Sequence, residues 1–228
     1  MAVFGLLTSA VLARYMSKPA FGTFNYYIAV ATIVLPILDP GGSGLYLRLA
    51  SRHRERIGEY WARSVGLKLY SAPVTALVLG LYFYLSEGKI GLSFVLVFLY
   101  GLAQSMLLST DIGFRASESG RSWAIRRTIY EIAYLVMTIG AIALFHLTGP
   151  IQQLVIALLA IALGALWAIV TLCRVTALTW NNIWTQITKR LTIDEVKALW
   201  PFAINNALYI FYYRATAIFI ERFGTPAE

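Results

Sequence analysis

Seven long apolar runs, separated by short segments rich in Pro, Gly and charge, leave few folds open to this sequence. Each run approaches the roughly 20 residues that a helix needs to cross a hydrocarbon core of about 30 Å. In lipid, every backbone N–H and C=O has to be satisfied within the protein, which selects helices over isolated strands. The expectation is an all-α, multi-pass transmembrane bundle of about seven helices. Composition agrees with it: 59% of residues are hydrophobic and 13% charged, against roughly 45–50% and 25% in soluble domains.

The runs place helices at about 2–16, 23–49, 64–85, 91–111, 125–147, 151–173 and 200–221. The first is a few residues short of a normal span, and it lacks the basic start and cleavage site of a signal peptide, so a retained helix is expected. Short connections at Ser17-Lys18-Pro19, Ser86-Glu87-Gly88-Lys89 and Thr148-Gly149-Pro150 carry turn residues. The alternate connections, Arg48 to Arg63, Arg115 to Arg127 and Arg174 to Lys197, are longer and basic.

Net charge is +8, and its placement decides its meaning. Fourteen Lys and Arg, among them Arg48, Arg52, Arg54, Arg56, Arg63, Lys68, Arg115 and Arg174, are assigned to one side, against four on the other: Arg14, Lys18, Lys89 and Arg222. That asymmetry follows the positive-inside rule and puts the N-terminus and the basic loops in the cytoplasm. It does not form the basic stripe of a nucleic-acid-binding surface, so no nucleic-acid partner is expected. Residues 179–197 mix Trp180, Trp184, Leu191, Ile193 and Val196 with polar residues, the pattern of an amphipathic helix lying at the cytoplasmic interface.

A short internal repeat relates Arg14-Tyr15-Met16-Ser17-Lys18 to Arg222-Phe223-Gly224-Thr225-Pro226, 208 residues apart. Six spans separate the two, so the repeat is parallel, a plan found in transporters whose substrate path lies between the halves. The expected organisation is a six-helix bundle over 1–178, a cytoplasmic amphipathic linker over 179–199, and the first helix of a second, truncated bundle over 200–228.

Ionisable groups inside spans cost at least roughly 2.5–3.5 kcal/mol each at the bilayer centre, so each is a functional candidate. Asp39, Asp111, Glu131 and Arg214 qualify. Asp39-Pro40-Gly41-Gly42 interrupts the second span, and broken helices at membrane depth line cavities; a plain kink with Asp39 capping the next helical segment is the other reading. Arg214 is placed either to neutralise an anionic group of a substrate with its fixed fork of donors or to pair with a carboxylate such as Glu131. Tyr26, Tyr27, Tyr130, Tyr134, Tyr209, Tyr212 and Tyr213 are candidates for substrate contacts through an apolar face and a polar handle, with packing and the interfacial belt as the alternatives. The cavity residues expected to contact substrate are Arg214, Glu131, Asp39, Tyr212 and Tyr213.

Signatures of catalysis are poor. Gly41-Gly42-Ser43-Gly44 lacks the Lys-Ser/Thr of a phosphate loop. His53 and His146 are expected on opposite membrane faces, and Cys173 is the single cysteine, so no His-based triad, metal site or cofactor is expected.

Leu12-Ala13-Arg14-Tyr15-Met16-Ser17-Lys18-Pro19-Ala20-Phe21-Gly22-Thr23-Phe24, then Asp39-Pro40-Gly41-Gly42-Ser43-Gly44 and the basic stretch to Arg56, resemble the first two helices of the polysaccharide flippases. These belong to the multidrug, oligosaccharidyl-lipid and polysaccharide exporter superfamily. Pro201-Phe202, Tyr212-Tyr213-Arg214 and Arg222-Phe223-Gly224-Thr225-Pro226 resemble the family's seventh helix. The resemblance implies two bundles around a cavity that opens alternately to each side. It implies transport of undecaprenyl-pyrophosphate-linked oligosaccharide from cytoplasm to periplasm across the bacterial inner membrane, in some members coupled to H+ or Na+. A membrane glycosyltransferase or polymerase acting on the same carrier, and a cation-coupled drug exporter of the same superfamily, are the rival readings.

Overall fold

The computed structural model describes residues 2–117, 120–176, 180–189 and 192–223. All regular structure among them is helical: α1 (Ala2–Tyr15), α2 (Lys18–Ile33), α3 (Leu35–Leu38), α4 (Gly42–Arg52), α5 (Ile57–Glu87), α6 (Leu92–Ala116), α7 (Gly120–Phe145), α8 (Pro150–Thr176), α9 (Trp180–Ile187) and α10 (Ile193–Phe223), with a 3-10 turn at Arg54–Arg56. The chain is a helical membrane bundle. Five stretches, Lys18–Leu38, Arg54–Glu87, Leu92–Ala116, Thr128–Phe145 and Pro150–Arg174, are long and apolar enough to cross a membrane, and Val3–Tyr15 is apolar but shorter. The 31 residues of α10 reach about 46 Å at 1.5 Å per residue.

Local chemistry sets the helix ends. Ser17 accepts from the Ala20 N–H, and Pro19 follows in the first turn of α2, where its missing N–H costs nothing. Gly88 closes α5 in the left-handed region, at φ +70°. Thr192 and Glu195 cap α10 reciprocally: the Thr192 N–H donates to Glu195 Oε2 at 2.9 Å, and the Glu195 N–H donates to Thr192 Oγ1 at 3.3 Å. This capping box starts the seventh long helix at Ile193 rather than at the expected residue 200.

α6 is the central element and packs on α5, α8 and α4, and also on α2, α3 and α7; α1 packs on α7, and α10 on α2, α3 and α4. Two of the hydrophobic clusters join the two sides of the broken second span to the helices around it. One joins Tyr27, Val30, Ala31 and Val34 of α2 and its end to Leu79, Phe83, Leu96, Val97 and Leu154. The other joins Leu45, Tyr46 and Ala50 of α4 to Ile57, Leu67, Ile112, Ala116 and Leu199. Between α2 and α4 the second span is broken over 39–41, as the Asp-Pro-Gly-Gly stretch predicts, and also at Val34, just before Pro36, where no break was expected.

The amphipathic α9 lies against α5. Ile183 is buried with Trp61, Ala62 and Leu172, and the Tyr70 hydroxyl donates to the Thr188 carbonyl at 3.1 Å, while Trp184 stays exposed.

Candidate functional site

Pro40 supplies no backbone donor and Gly41 sits at φ +83°, so the chain cannot run on as helix through 39–41. The polar groups released by the break are answered by nearby residues. The Asp39 carboxylate accepts from the Ser43 N–H at 3.0 Å and from the Ser43 hydroxyl, capping α4. The Ser71 hydroxyl donates to the Leu38 carbonyl at 2.6 Å, and the Asn206 amide to the Asp39 carbonyl at 3.5 Å.

Lys68 points into this break from α5 and is completely buried. Its ammonium donates to Asp39 Oδ2 at 2.8 Å, to Ser64 Oγ at 3.0 Å and to Ser43 Oγ at 3.1 Å. An ammonium has three donors, and here each has an acceptor. Lys68 is therefore not a loop cation of the cytoplasmic side, as its assignment in the charge count had it. It is the internal partner of Asp39, and the asymmetry becomes thirteen against four. Helical spacing places Ser64 and Lys68, i and i+4, on one face of α5, which was a readable signal; the pairing with Asp39, 29 positions away, was not.

Asp39 also reaches a pocket of about 210 Å³ lined by groups from three regions: Asp39 and Ser43 at the break and the start of α4, Ser105, Asp111 and Arg115 on α6, and Asn206 on α10. Apolar walls come from Leu35, Leu47, Leu108 and Ile112. Ser105 is 1% exposed, and its hydroxyl has no hydrogen-bond partner, whereas Ser109 and Thr110 on the same helix donate to the carbonyls of Met106 and Leu107. Gly41 and Gly44 make room for α10: a Cβ on Gly41 would lie 2.5 Å from Phe202 Cβ and 2.7 Å from the Ala203 nitrogen, and one on Gly44 would lie 2.7 Å from the Phe202 ring. Arg63 ties the start of α10 to α5 through Glu195 at 2.7 Å.

Of the other residues singled out in the sequence, Glu131 lies on α7 and Tyr212 on α10, and neither lines the pocket. Tyr212 is 77% exposed. The side chains of Arg214, Tyr213 and Tyr209 fall outside the described residues, as do Gly224, Thr225 and Pro226 of the repeat. Tyr26 and Tyr82 share a hydroxyl hydrogen bond of 2.7 Å, and Tyr27 is buried against Phe83 with ring centroids 6.4 Å apart, so these two tyrosines pack the core. Tyr130 and Tyr134 stack on one another, with centroids 6.5 Å apart. A second pocket, of about 390 Å³, lies between α1 and α7 and is mostly apolar, with Tyr15 and His146 among its lining residues. His53 follows α4 and His146 follows α7, at opposite ends of the bundle by chain topology.

Comparison with known families gives one match: the family described as polysaccharide biosynthesis protein covers residues 1–227. Neither the curated proteins nor the solved structures yield a match.

Proposed function

The chain belongs to the polysaccharide biosynthesis protein family, and on that premise we propose that it is a flippase. In this reading it moves undecaprenyl-pyrophosphate-linked oligosaccharide from the cytoplasmic to the periplasmic leaflet of the bacterial inner membrane. The observation that carries the reading is the polar pocket at the break of the second span, set inside a bundle of long apolar helices. Irregular backbone at membrane depth is tolerated where it is buried or lines a cavity, and this break does both.

The pocket lies between the first six long helices and α10, which we read as the opening helix of a second bundle, so it occupies the boundary where a parallel-repeat transporter keeps its path. It lies at the end of the bundle that carries the basic connections, the cytoplasmic end if the N-terminus is cytoplasmic. Arg214, further along α10, is proposed to meet the pyrophosphate, with Glu131, Tyr212 and Tyr213 as further cavity residues. An H+ or Na+ gradient is the proposed driving force.

Depletion of the protein from its host tests the reading. Transport predicts that complete lipid-linked oligosaccharide accumulates in the inner leaflet while surface polysaccharide is lost. Accumulation of incomplete lipid-linked sugars would instead assign a glycosyltransferase or polymerase role. Arg214→Ala is expected to insert and fold normally and to lower surface polysaccharide at least tenfold; normal transport by that variant would remove Arg214 from the substrate path.

A further inference from the structure

The pocket at the break has a chemistry of its own that bears on which part of the substrate it meets. Among the described residues its formal charges cancel. Asp39 is neutralised by Lys68 at 2.8 Å, and Asp111 and Arg115 stand one turn apart on α6 with opposite charge. A pyrophosphate brought here would face two carboxylates, with the nearest buried cation already saturated by Asp39, Ser43 and Ser64. An alkali cation would find no net negative charge to hold it.

A polyhydroxylated ring suits the same walls. Its hydroxyls can donate to the carboxylates of Asp39 and Asp111 and accept from Arg115 and the Asn206 amide, and its C–H faces can lie against Leu35, Leu47, Leu108 and Ile112. The pocket therefore has the make-up of small-molecule sites, with apolar walls and a few placed polar groups. Ser105 supplies the independent sign of a ligand: it is one of the residues that line the pocket, and its buried hydroxyl makes none of the bonds to its own helix that Ser109 and Thr110 make. A buried hydroxyl without a partner costs about 1–3 kcal/mol, a cost that a sugar hydroxyl would offset. The volume of about 210 Å³ has room for several water molecules, which is space enough for a single sugar ring.

We propose that this pocket is a monosaccharide subsite, which holds one uncharged sugar ring of the lipid-linked oligosaccharide through Asp39, Ser105, Asp111, Arg115 and Asn206, and leaves the pyrophosphate to be met elsewhere along the path. The proposal rests on the flippase reading and names the part of that substrate which the pocket recognises.

Saturation-transfer NMR on the whole protein in nanodiscs tests it. The probes are the methyl glycosides of glucose, galactose, mannose, rhamnose, N-acetylglucosamine and N-acetylgalactosamine, with sodium pyrophosphate as competitor. At least one glycoside is expected to bind in the millimolar range and to be undisturbed by excess pyrophosphate. Ser105→Ala is expected to weaken it about fivefold, the loss of one hydrogen bond, and Ser105→Leu, which fills the pocket, to abolish it. Should Ser105→Leu fail to fold, Asn206→Ala takes its place and is expected to weaken binding to the same degree as Ser105→Ala. Absence of any Ser105-sensitive glycoside signal, or displacement of the glycoside by pyrophosphate, overturns the subsite. If translocation of lipid-linked oligosaccharide proceeds while no glycoside binds, the subsite alone fails; if a glycoside binds and no translocation occurs, the flippase reading fails and the sugar site stands.

Discussion

Replacing Lys68 by Met would strand the Asp39 carboxylate inside the bundle, next to two serine hydroxyls that now accept from Lys68. Breaking one side of a buried ion pair costs roughly 3–5 kcal/mol. Lys68→Met is thus expected to lose about that much unfolding free energy, measured by SDS titration of the purified protein in micelles. Asp39→Asn together with Lys68→Met removes both charges and is expected to recover most of the loss. An equal loss in the single and double variants would show that the pair contributes nothing beyond its side-chain volume. Asp39 was legible in the sequence because Pro40 and Gly41 mark the place where a helix stops. Lys68 was not, because hydropathy sees one charge near the end of an apolar run and cannot see a partner on another helix. Ser105 was hidden for the same reason: a serine on a helix is ordinary until its neighbours are known.

The seat of α10 against the broken helix is the element on which the candidate site depends. Gly41 carries two demands at once, a positive φ and backbone of α10 within 2.8 Å of where a Cβ would stand, whereas Gly88 has the positive φ alone, with nothing within 4 Å. Gly88→Ala should therefore cost only the left-handed penalty, about 1–2 kcal/mol, and leave α10 in place. Gly41→Ala should cost more and lift α10, seen as faster tryptic cleavage at Lys189 and Lys197; equal proteolysis of the two variants would contradict the close packing. Helix existence followed from the apolar runs, but helix ends did not. α5 begins at Ile57, α6 reaches Ala116 and α10 begins at Ile193, because Glu, Arg and Lys continue a helix readily after it leaves the apolar layer, and hydropathy stops counting there. The start of α10 had a sharper signal, the Thr192 and Glu195 capping box, inside a stretch that reads as a polar linker.

At the scale of the whole molecule, the account requires a fixed orientation. In the orientation proposed from the thirteen cations of the basic end against four at the other, the Ser86–Lys89 turn lies outside and the segment between α9 and α10 inside. Cys173 is the only cysteine, so a Cys173→Ser background allows single-cysteine mapping. Lys89→Cys is expected to react with a membrane-impermeant maleimide in intact cells, and Thr188→Cys only after permeabilisation; the reverse pattern would invert the protein and put the pocket on the periplasmic side. Fold class, membrane character and family were all legible in the order of apolar runs, the break at Asp39 and the Arg-aromatic turn. The pocket itself was not, since it is assembled by α4, α6 and α10 from residues that no spacing in the chain relates.

Translocation is the central claim, and it is tested most directly by reconstituting the protein into liposomes that hold lipid-linked oligosaccharide in both leaflets. Exposure of the sugar to an external lectin is then followed over time. The account predicts that wild-type protein brings the inner-leaflet pool to the lectin within minutes, under an imposed H+ or Na+ gradient, and that Arg214→Ala slows this at least tenfold. An inner-leaflet pool that stays protected at the rate of protein-free liposomes, with either gradient imposed, would contradict it.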